Sequence, residues 1–380
     1  MFKSRIIKKL NHQKRMGLYR CPMEISERQG KHVIVNGKKV LNFASNDYLG
    51  LGSSERLRQK VAAHFQKYGA SSSSSRLVSA NFNAISEAEH AFAEFFGYPS
   101  CLFFPSGYQA NIGLLSTIFE RQDTIFFDKH VHASAVKGML LSKSQMIGFR
   151  HNSMTHLERR LKKYAGKSIC GLVTESLFSM DGDLIPLEAI YKLRKTFDLV
   201  CIVDEAHTFG VLGCKGRGIA KEVADIAIGT FGKALGLFGA FILGPEWIRD
   251  YLMNFSSPMI YTTSLPEAHG ASALDIIEMI KNSDNERHNL SQVTAFMKKS
   301  LEREGFKVSG DAHILALQIG DETQAVNLTK HLLEKGFLTF PARYPTVPPG
   351  KAIIRISMNA MHQDADVKLF MNALLSVVSC

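Results

Sequence analysis

The sequence predicts an α/β protein with a large, mostly parallel-sheet domain followed by a smaller C-terminal α+β domain. Three observations lead there. Short apolar runs at residues 101–104, 124–127, 169–174 and 199–203 alternate with helical stretches, the pattern of buried parallel strands joined by crossover helices. Two of these runs end on acidic residues, Glu175 and Asp204, and ligands in open α/β sheets gather beyond the carboxyl ends of the strands. From about residue 282 the pattern changes to long charged helices, 286–304 and 321–335, alternating with strands near 312–319 and 352–357. The expected division is an N-terminal arm and hairpin (1–45), a catalytic domain (46–281) and a C-terminal α+β domain (282–380).

Bulk properties narrow the class. With 380 residues, 45% hydrophobic and 21% charged, the chain can bury a large core. Cys21, Cys101, Cys170, Cys201, Cys214 and Cys380 form no CxxC pair, which suits free thiols in a reducing cytosol. No apolar stretch approaches the roughly 20 residues that cross a bilayer, and no signal-peptide core follows the basic start. A cytoplasmic protein without a membrane partner is expected. The net charge of +11 concerns association rather than fold. Without zinc-finger spacing, an aromatic RNA-binding signature or an arginine-rich tract, a nucleic-acid partner is not expected.

Taken in order, residues 1–20 carry Lys3, Arg5, Lys8, Lys9, Lys14, Arg15 and Arg20 with no acid, while Phe2, Ile6, Ile7 and Leu10 share a helical face. A membrane-surface helix, a presequence and an arm packing on a dimer all fit. Residues 31–43 read as a hairpin turning at Asn36 and Gly37. Asn46 and Asp47 suit a turn. The run 69–82, GASSSSSRLVSANF, looks like a linker by composition. The strand at 101–104 runs through Ser106 into a helix, and such a start offers unpaired N–H groups at Gly107 and Tyr108 for a phosphate. His130 and His132 do not complete a zinc site, so no metal is expected. Glycines 213, 216 and 218 fit no nucleotide-binding loop.

The chemistry centres on TFGKALG, residues 230–236. A free lysine is protonated and a poor nucleophile at neutral pH, whereas Lys233 held as a Schiff base to an aldehyde cofactor is primed for exchange and proton transfer. Asp204 can face the nitrogen of a pyridine ring, His207 can reach its phenolic oxygen, and the Thr230 hydroxyl can take a phosphate.

SNDYLGL (45–51), SGYQAN (106–111), HAS (132–134), TESLFSMDGD (174–183), DEAHTFGVLG (204–213), TFGKALG and PTVP (345–348) occur in the order of one family. Through them nearly the whole chain resembles the pyridoxal phosphate-dependent α-oxoamine synthases. The resemblance implies fold type I, pyridoxal 5′-phosphate as cofactor and a homodimer with shared active sites. It implies His132 stacked on the ring, Ser179 donating to the phenolic oxygen, and Thr262 or Thr263 reaching the phosphate of the partner's cofactor. It also implies Asn46 facing the substrate, Arg20 and Thr346 near the acyl substrate, and Arg355 holding the amino acid's carboxylate. A buried Arg355 should then have a carboxylate partner. Relatives carry a glycine near Ala80, so strain or a reshaped loop is expected there if that glycine has φ > 0.

The implied reaction is a decarboxylating condensation of an amino acid with an acyl-CoA or acyl-carrier-protein thioester, with L-alanine and a pimeloyl thioester preferred. Glycine with acetyl-CoA, serine with a long acyl-CoA, and synthesis of an α-hydroxyketone signal are the alternatives. An aminotransferase shares the cofactor motifs, and a catalytically silent regulatory subunit is the alternative outside enzymes.

Overall fold

A computed structural model describes residues 1–166 and 168–378; Cys380 lies outside the described residues, and Cys21, Cys101, Cys170, Cys201 and Cys214 are free thiols. The chain forms two compact units, one of residues 46–179 and 183–288, the other of residues 1–45, 180–182 and 289–380. Residues 1–45 thus group with the C-terminal part of the chain.

The N-terminal part of that second unit holds α1 (Phe2–Arg15), β1 (Ile25–Gln29), β2 (His32–Val35) and β3 (Lys38–Asn42). Every residue of α1 is exposed, including the apolar face of Phe2, Ile6, Ile7 and Leu10. The hairpin turns where expected, with Asn36 and Gly37 both at positive φ. That is the turn whose twist matches the flanking strands.

The larger unit contains α2 (Glu55–Tyr68), α3 (Asn83–Phe96), β4 (Ser100–Phe104), α4 (Gly107–Ile118), β5 (Thr124–Asp128), α5 (Ala133–Ser142), β6 (Gln145–Phe149) and α6 (Met154–Tyr164). It continues with β7 (Cys170–Glu175), α7 (Leu187–Thr196), β8 (Val200–Asp204), β9 (Ile226–Thr230), β10 (Ala240–Gly244), α8 (Glu246–Phe255), α9 (Ser257–Ile260) and α10 (Glu267–Lys281). Its seven strands lie in the order β4-β10-β9-β8-β7-β5-β6. Pairing is parallel from β9 to β6, and β10 alone runs against its neighbours. The sequence reading named neither β6 nor β10.

Both faces of this sheet are covered. On one, Phe92 and Phe96 of α3 meet Phe103, Phe209, Phe231 and Phe241, with Phe96 and Phe209 centroids 4.3 Å apart and Phe103 and Phe231 4.9 Å apart. Such ring pairs add about 0.5–1.5 kcal/mol each beyond area burial. On the other, Leu114, Ala135, Met139 and Leu252 pack on Ile202, Ile228 and Ile242. Phe209 and Phe231 each follow a strand, so the aromatic face also anchors the loops beyond β8 and β9.

The serine run is not a linker. Ser72 Oγ donates to Ser264 O at 2.7 Å, and Ser264 N donates to Ser74 O. Arg76 makes a buried ion pair with Glu89 at 2.5 Å and also donates to Asn81. Ala80 is buried and has no positive φ, so that position needs no glycine; left-handed backbone in this run falls instead at Gly69 and Ser73.

From α11 (Asp284–Arg303), which straddles the two units, the chain enters β11 (Val308–Ser309), β12 (Ile314–Gly320), α12 (Glu322–Glu334), β13 (Phe337–Leu338), β14 (Phe340–Ala342), β15 (Ala352–Ser357) and α13 (Asp364–Val378). In the second unit β13 joins the N-terminal hairpin beside β3, and β11-β12-β15-β14 form a separate antiparallel sheet. Phe43 packs on Phe370 at 5.0 Å, and Lys31 pairs with Asp366 at 2.5 Å.

Arg76→Ala should leave Glu89 as an uncompensated buried charge and cost about 3–5 kcal/mol. A urea midpoint within error of the wild type would contradict the role given to this pair.

Candidate active site

The residues singled out in the larger unit lie at the carboxyl ends of its parallel strands. Gly107 opens α4 after β4, His132 follows β5, Ser179 follows β7, Asp204 ends β8 and Thr230 ends β9. Parallel crossover topology places successive loops at one sheet edge, which brings residues far apart in sequence together.

Lys233 stands in a turn held from two sides. Phe231 is wedged among Phe92, Phe103 and Phe241, and Gly236 takes φ +72 with its Cα facing the backbone of Gly52. A Cβ at Gly236 would lie 2.4 Å from Gly52 N. The lysine turn therefore packs directly on the SNDYLGL segment, whose Tyr48 and Asn46 then enter the site.

A polar chain results. Lys233 Nζ lies 2.8 Å from His207 Nε2, His207 Nδ1 lies 2.6 Å from Tyr48 Oη, and Tyr48 donates to Asn46 Oδ1 at 3.0 Å. Tyrosine has one proton to give. With that proton on Asn46, Tyr48 accepts from Nδ1–H of His207, and the bare Nε2 accepts from Lys233. The chain thus has one direction, from lysine to asparagine. Tyr48, fully buried, is an addition to the residues expected here; its signal in the sequence is its place in the SNDYLGL motif.

Asp204 is held by Asn111 Nδ2 at 3.0 Å and by Ala206 N at 2.9 Å. Its register neighbour on β7 is Glu175, 3% exposed. Burial and the charge of Asp204 push the Glu175 carboxyl up to about 8, against the pull of Lys233 and two backbone N–H groups. Glu175 therefore holds its proton well above the usual carboxylate range.

His132 caps α5. Its Nδ1 accepts from Ser134 Oγ at 2.7 Å and from Ser134 N at 3.3 Å, which leaves the proton on Nε2. Partial burial and nearby Lys233 keep it below the ordinary histidine range, with Asp204 opposing. Ser106 Oγ caps α4 by accepting from Gln109 N at 3.2 Å. A Cβ built on Gly107 would stand 4.0 Å from Thr230 Cβ, so the helix start and Thr230 share one cradle. Thr230 Oγ1 donates to Gly239 O at 3.0 Å and accepts from Gly232 N. Thr262 and Thr263 follow α9 in a loop, Thr262 half-buried and Thr263 exposed.

The loop carrying Ser179 is braced by His151, whose ring lies 3.0 Å from Asp128 and 2.8 Å from Asp183. Burial would lower this histidine, but the two carboxylates overcome it and raise it to about 10.

In the smaller unit, Arg20 and Thr346 line one cavity of about 560 Å³. Leu18, Leu333, Leu338 and Phe340 give it apolar walls, Lys330 and Arg343 add positive charge, and no acidic residue is among the described residues lining it. Arg343 holds the N-terminal arm here by donating to the carbonyls of Gly17 and Tyr19. Arg355, 4% exposed, lies in β15 and donates to Ser357 Oγ.

The donor set of the larger unit fits pyridoxal phosphate. It offers an amine at Lys233 for the aldehyde, a carboxylate at Asp204 for the ring nitrogen, and a helix start beside Thr230 for the phosphate.

Comparisons with known proteins agree. Residues 38–374 match the family described as aminotransferase class I and II. A putative 8-amino-7-oxononanoate synthase of Acetivibrio thermocellus is 36% identical over 369 residues, 95% of each chain. A serine palmitoyltransferase variant from S. paucimobilis, solved with PLP and myriocin bound, superposes with TM-score 0.92 at 25% identity, covering 99% of this chain and 98% of that one. The 8-amino-7-oxononanoate synthase of Francisella tularensis superposes with TM-score 0.77 at 32% identity, covering 90% and 98%.

The chain belongs to the class I and II aminotransferase family and has fold type I, with pyridoxal phosphate as its cofactor. Within that family it is an α-oxoamine synthase, an acyltransferase rather than an amino-group transferase.

His151 has a folded-state pKa above its ordinary 6.5. Its contribution to stability is therefore complete below about pH 6.5 and lost as pH rises through about 10. In urea titrations the margin of wild type over His151→Asn should narrow between pH 7 and pH 10; a constant margin would refute the charged histidine.

Proposed function

We propose that the enzyme condenses L-alanine with a pimeloyl thioester, carried by CoA or a carrier protein, to give 8-amino-7-oxononanoate, CO₂ and the free thiol, a step of biotin biosynthesis. The observation that carries this reading is the directed chain Lys233, His207, Tyr48, Asn46 beside Asp204. The names of the relatives, at 36% and 35% identity over nearly the full chain, favour this substrate pair. The cavity bearing Arg20 and Thr346 suits an acyl chain with apolar methylenes and an anionic end.

Bound pyridoxal phosphate supplies an aldehyde for the amino group and an electron-withdrawing ring that acidifies the substrate's Cα–H. Lys233 would hold the cofactor's aldehyde carbon, and its free amine would take the substrate's Cα proton at Nζ. His207 accepts from that amine and orients it through Tyr48 and Asn46. Asp204, held in place by Asn111 and the N–H of Ala206, would face the ring nitrogen and keep its proton there. With the cofactor bound, His132 would stack against its ring, where its Nε2–H could be offered to the carbonyl of the thioester. Ser179 donates to the phenolic oxygen, and Gly107, Tyr108 and Thr230 take the phosphate. Asn46 also faces the substrate, and Arg355 orients the amino acid's carboxylate by a planar, charge-assisted contact.

Two copies of the chain share their sites, Thr262 or Thr263 of one reaching the phosphate held by the other. The enzyme works in the cytoplasm, and among the described residues no helix is long and apolar enough to cross a membrane. Residues 46–281 act as the cofactor domain, with the arm (1–45) and residues 282–380 completing the protein.

Borohydride trapping followed by peptide mapping should place the cofactor on Lys233, and Lys233→Ala should lower kcat on the order of a thousandfold. An adduct on another residue overturns the assignment. Steady-state comparison of alanine with pimeloyl-CoA, glycine with acetyl-CoA and serine with palmitoyl-CoA, read as CO₂ release, should favour the first; preference for either other pair replaces this substrate assignment. Arg355→Lys should raise KM for alanine about tenfold and leave KM for the thioester unchanged.

A further inference from the structure

Glu175 is the last residue of β7, and β7 lies between β8 and β5. Its carboxyl is almost wholly buried, yet none of the roles above contacts the substrate through it. Two backbone donors reach it. The N–H of His132, in the turn after β5, donates to Glu175 Oε1 at 2.6 Å. The N–H of Ser179, in the loop after β7, donates to the same carboxyl. The N–H of His132 precedes α5, for which His132 is the cap, so it has no acceptor within that helix.

We propose that Glu175 is a positioning residue that ties the His132 turn and the Ser179 loop to one buried carboxyl, and so sets the separation of two groups that hold the cofactor. The proposal rests on the cofactor reading of this site but not on the choice of acyl substrate. Lone turns at sheet edges are mobile unless their backbone groups are satisfied. One acid that receives an N–H from each of two loops removes that freedom for both at once. The chemistry is specific to an acid. A carboxyl has lone pairs on both oxygens, whereas an amide of the same shape has one accepting oxygen and an NH₂ that would confront a second N–H. Aspartate would fall one methylene short of both donors.

The test compares Glu175→Gln and Glu175→Ala with wild type as holoenzymes. Hydrogen exchange of residues 129–134 and 177–180 should rise at both segments in Gln and further in Ala. Cofactor retention on dialysis should weaken about tenfold in Gln, and the absorption change on adding alanine should shift. The isosteric Gln variant keeps the test open if Ala fails to fold. Faster exchange at only one segment, or unchanged exchange with wild-type retention, would overturn the clamp; so would a lower melting temperature with the two loops and the absorption change untouched. Loss of the borohydride adduct at Lys233 in wild type would instead sink the cofactor reading, and inactivity with pimeloyl-CoA would sink only the substrate assignment.

Discussion

Two carboxyl groups set side by side at the ends of β7 and β8 impose the constraint on which this site depends. Parallel register places Glu175 opposite Asp204, and two full charges in so buried a place would repel strongly. The conflict is resolved by unequal surroundings. Asp204 is half-buried and accepts from Asn111 and Ala206, whereas Glu175 is buried and pushed up to about 8. The backbone N–H groups of His132 and Ser179 reach the Glu175 carboxyl and oppose that upward push.

The lysine is placed by a different kind of force. Its backbone is set by the turn, through Phe231 buried among aromatic rings on one side and Gly236 pressed against Gly52 on the other. Packing of that kind is unforgiving of a shift of an ångström, and it carries the SNDYLGL segment into the site with it. The hydrogen-bond chain through His207 and Tyr48 then has its direction settled by proton count. Apolar packing and polar chemistry are therefore two layers of one device, the first holding the backbone and the second setting which atom bears each proton.

Much of this was legible in the sequence, for identifiable reasons. Apolar runs marked β4, β5, β7 and β8 because strands buried on both faces are nearly continuous in hydrophobicity. The strand ends pointed to Asp204, and small-residue turns pointed to Gly107 and Lys233. What was missed has reasons as well. The edge strand β6 is only partly buried and mixes glycine and glutamine into its run, and the reversal of β10 leaves no mark on composition. The serine run reads as a linker because its anchors, Arg76 with Glu89 and Ser72 with Ser264, join residues whose proximity composition cannot express. Residues 1–45 read as a separate arm, yet β3 pairs with β13, far along the chain.

By itself the sequence determined the α/β class, because periodicity is a local property; through its resemblance to one family it pointed to the cofactor and to Lys233 and Asp204 as candidate amine and acid. Only the tertiary structure decided that Tyr48 and Asn46 complete the lysine's chain, that burial beside Asp204 pushes Glu175 up, and that Arg20 and Thr346 share a cavity. Proton placement and pKa depend on distance and burial, and these exist only once strands distant in sequence have been brought edge to edge.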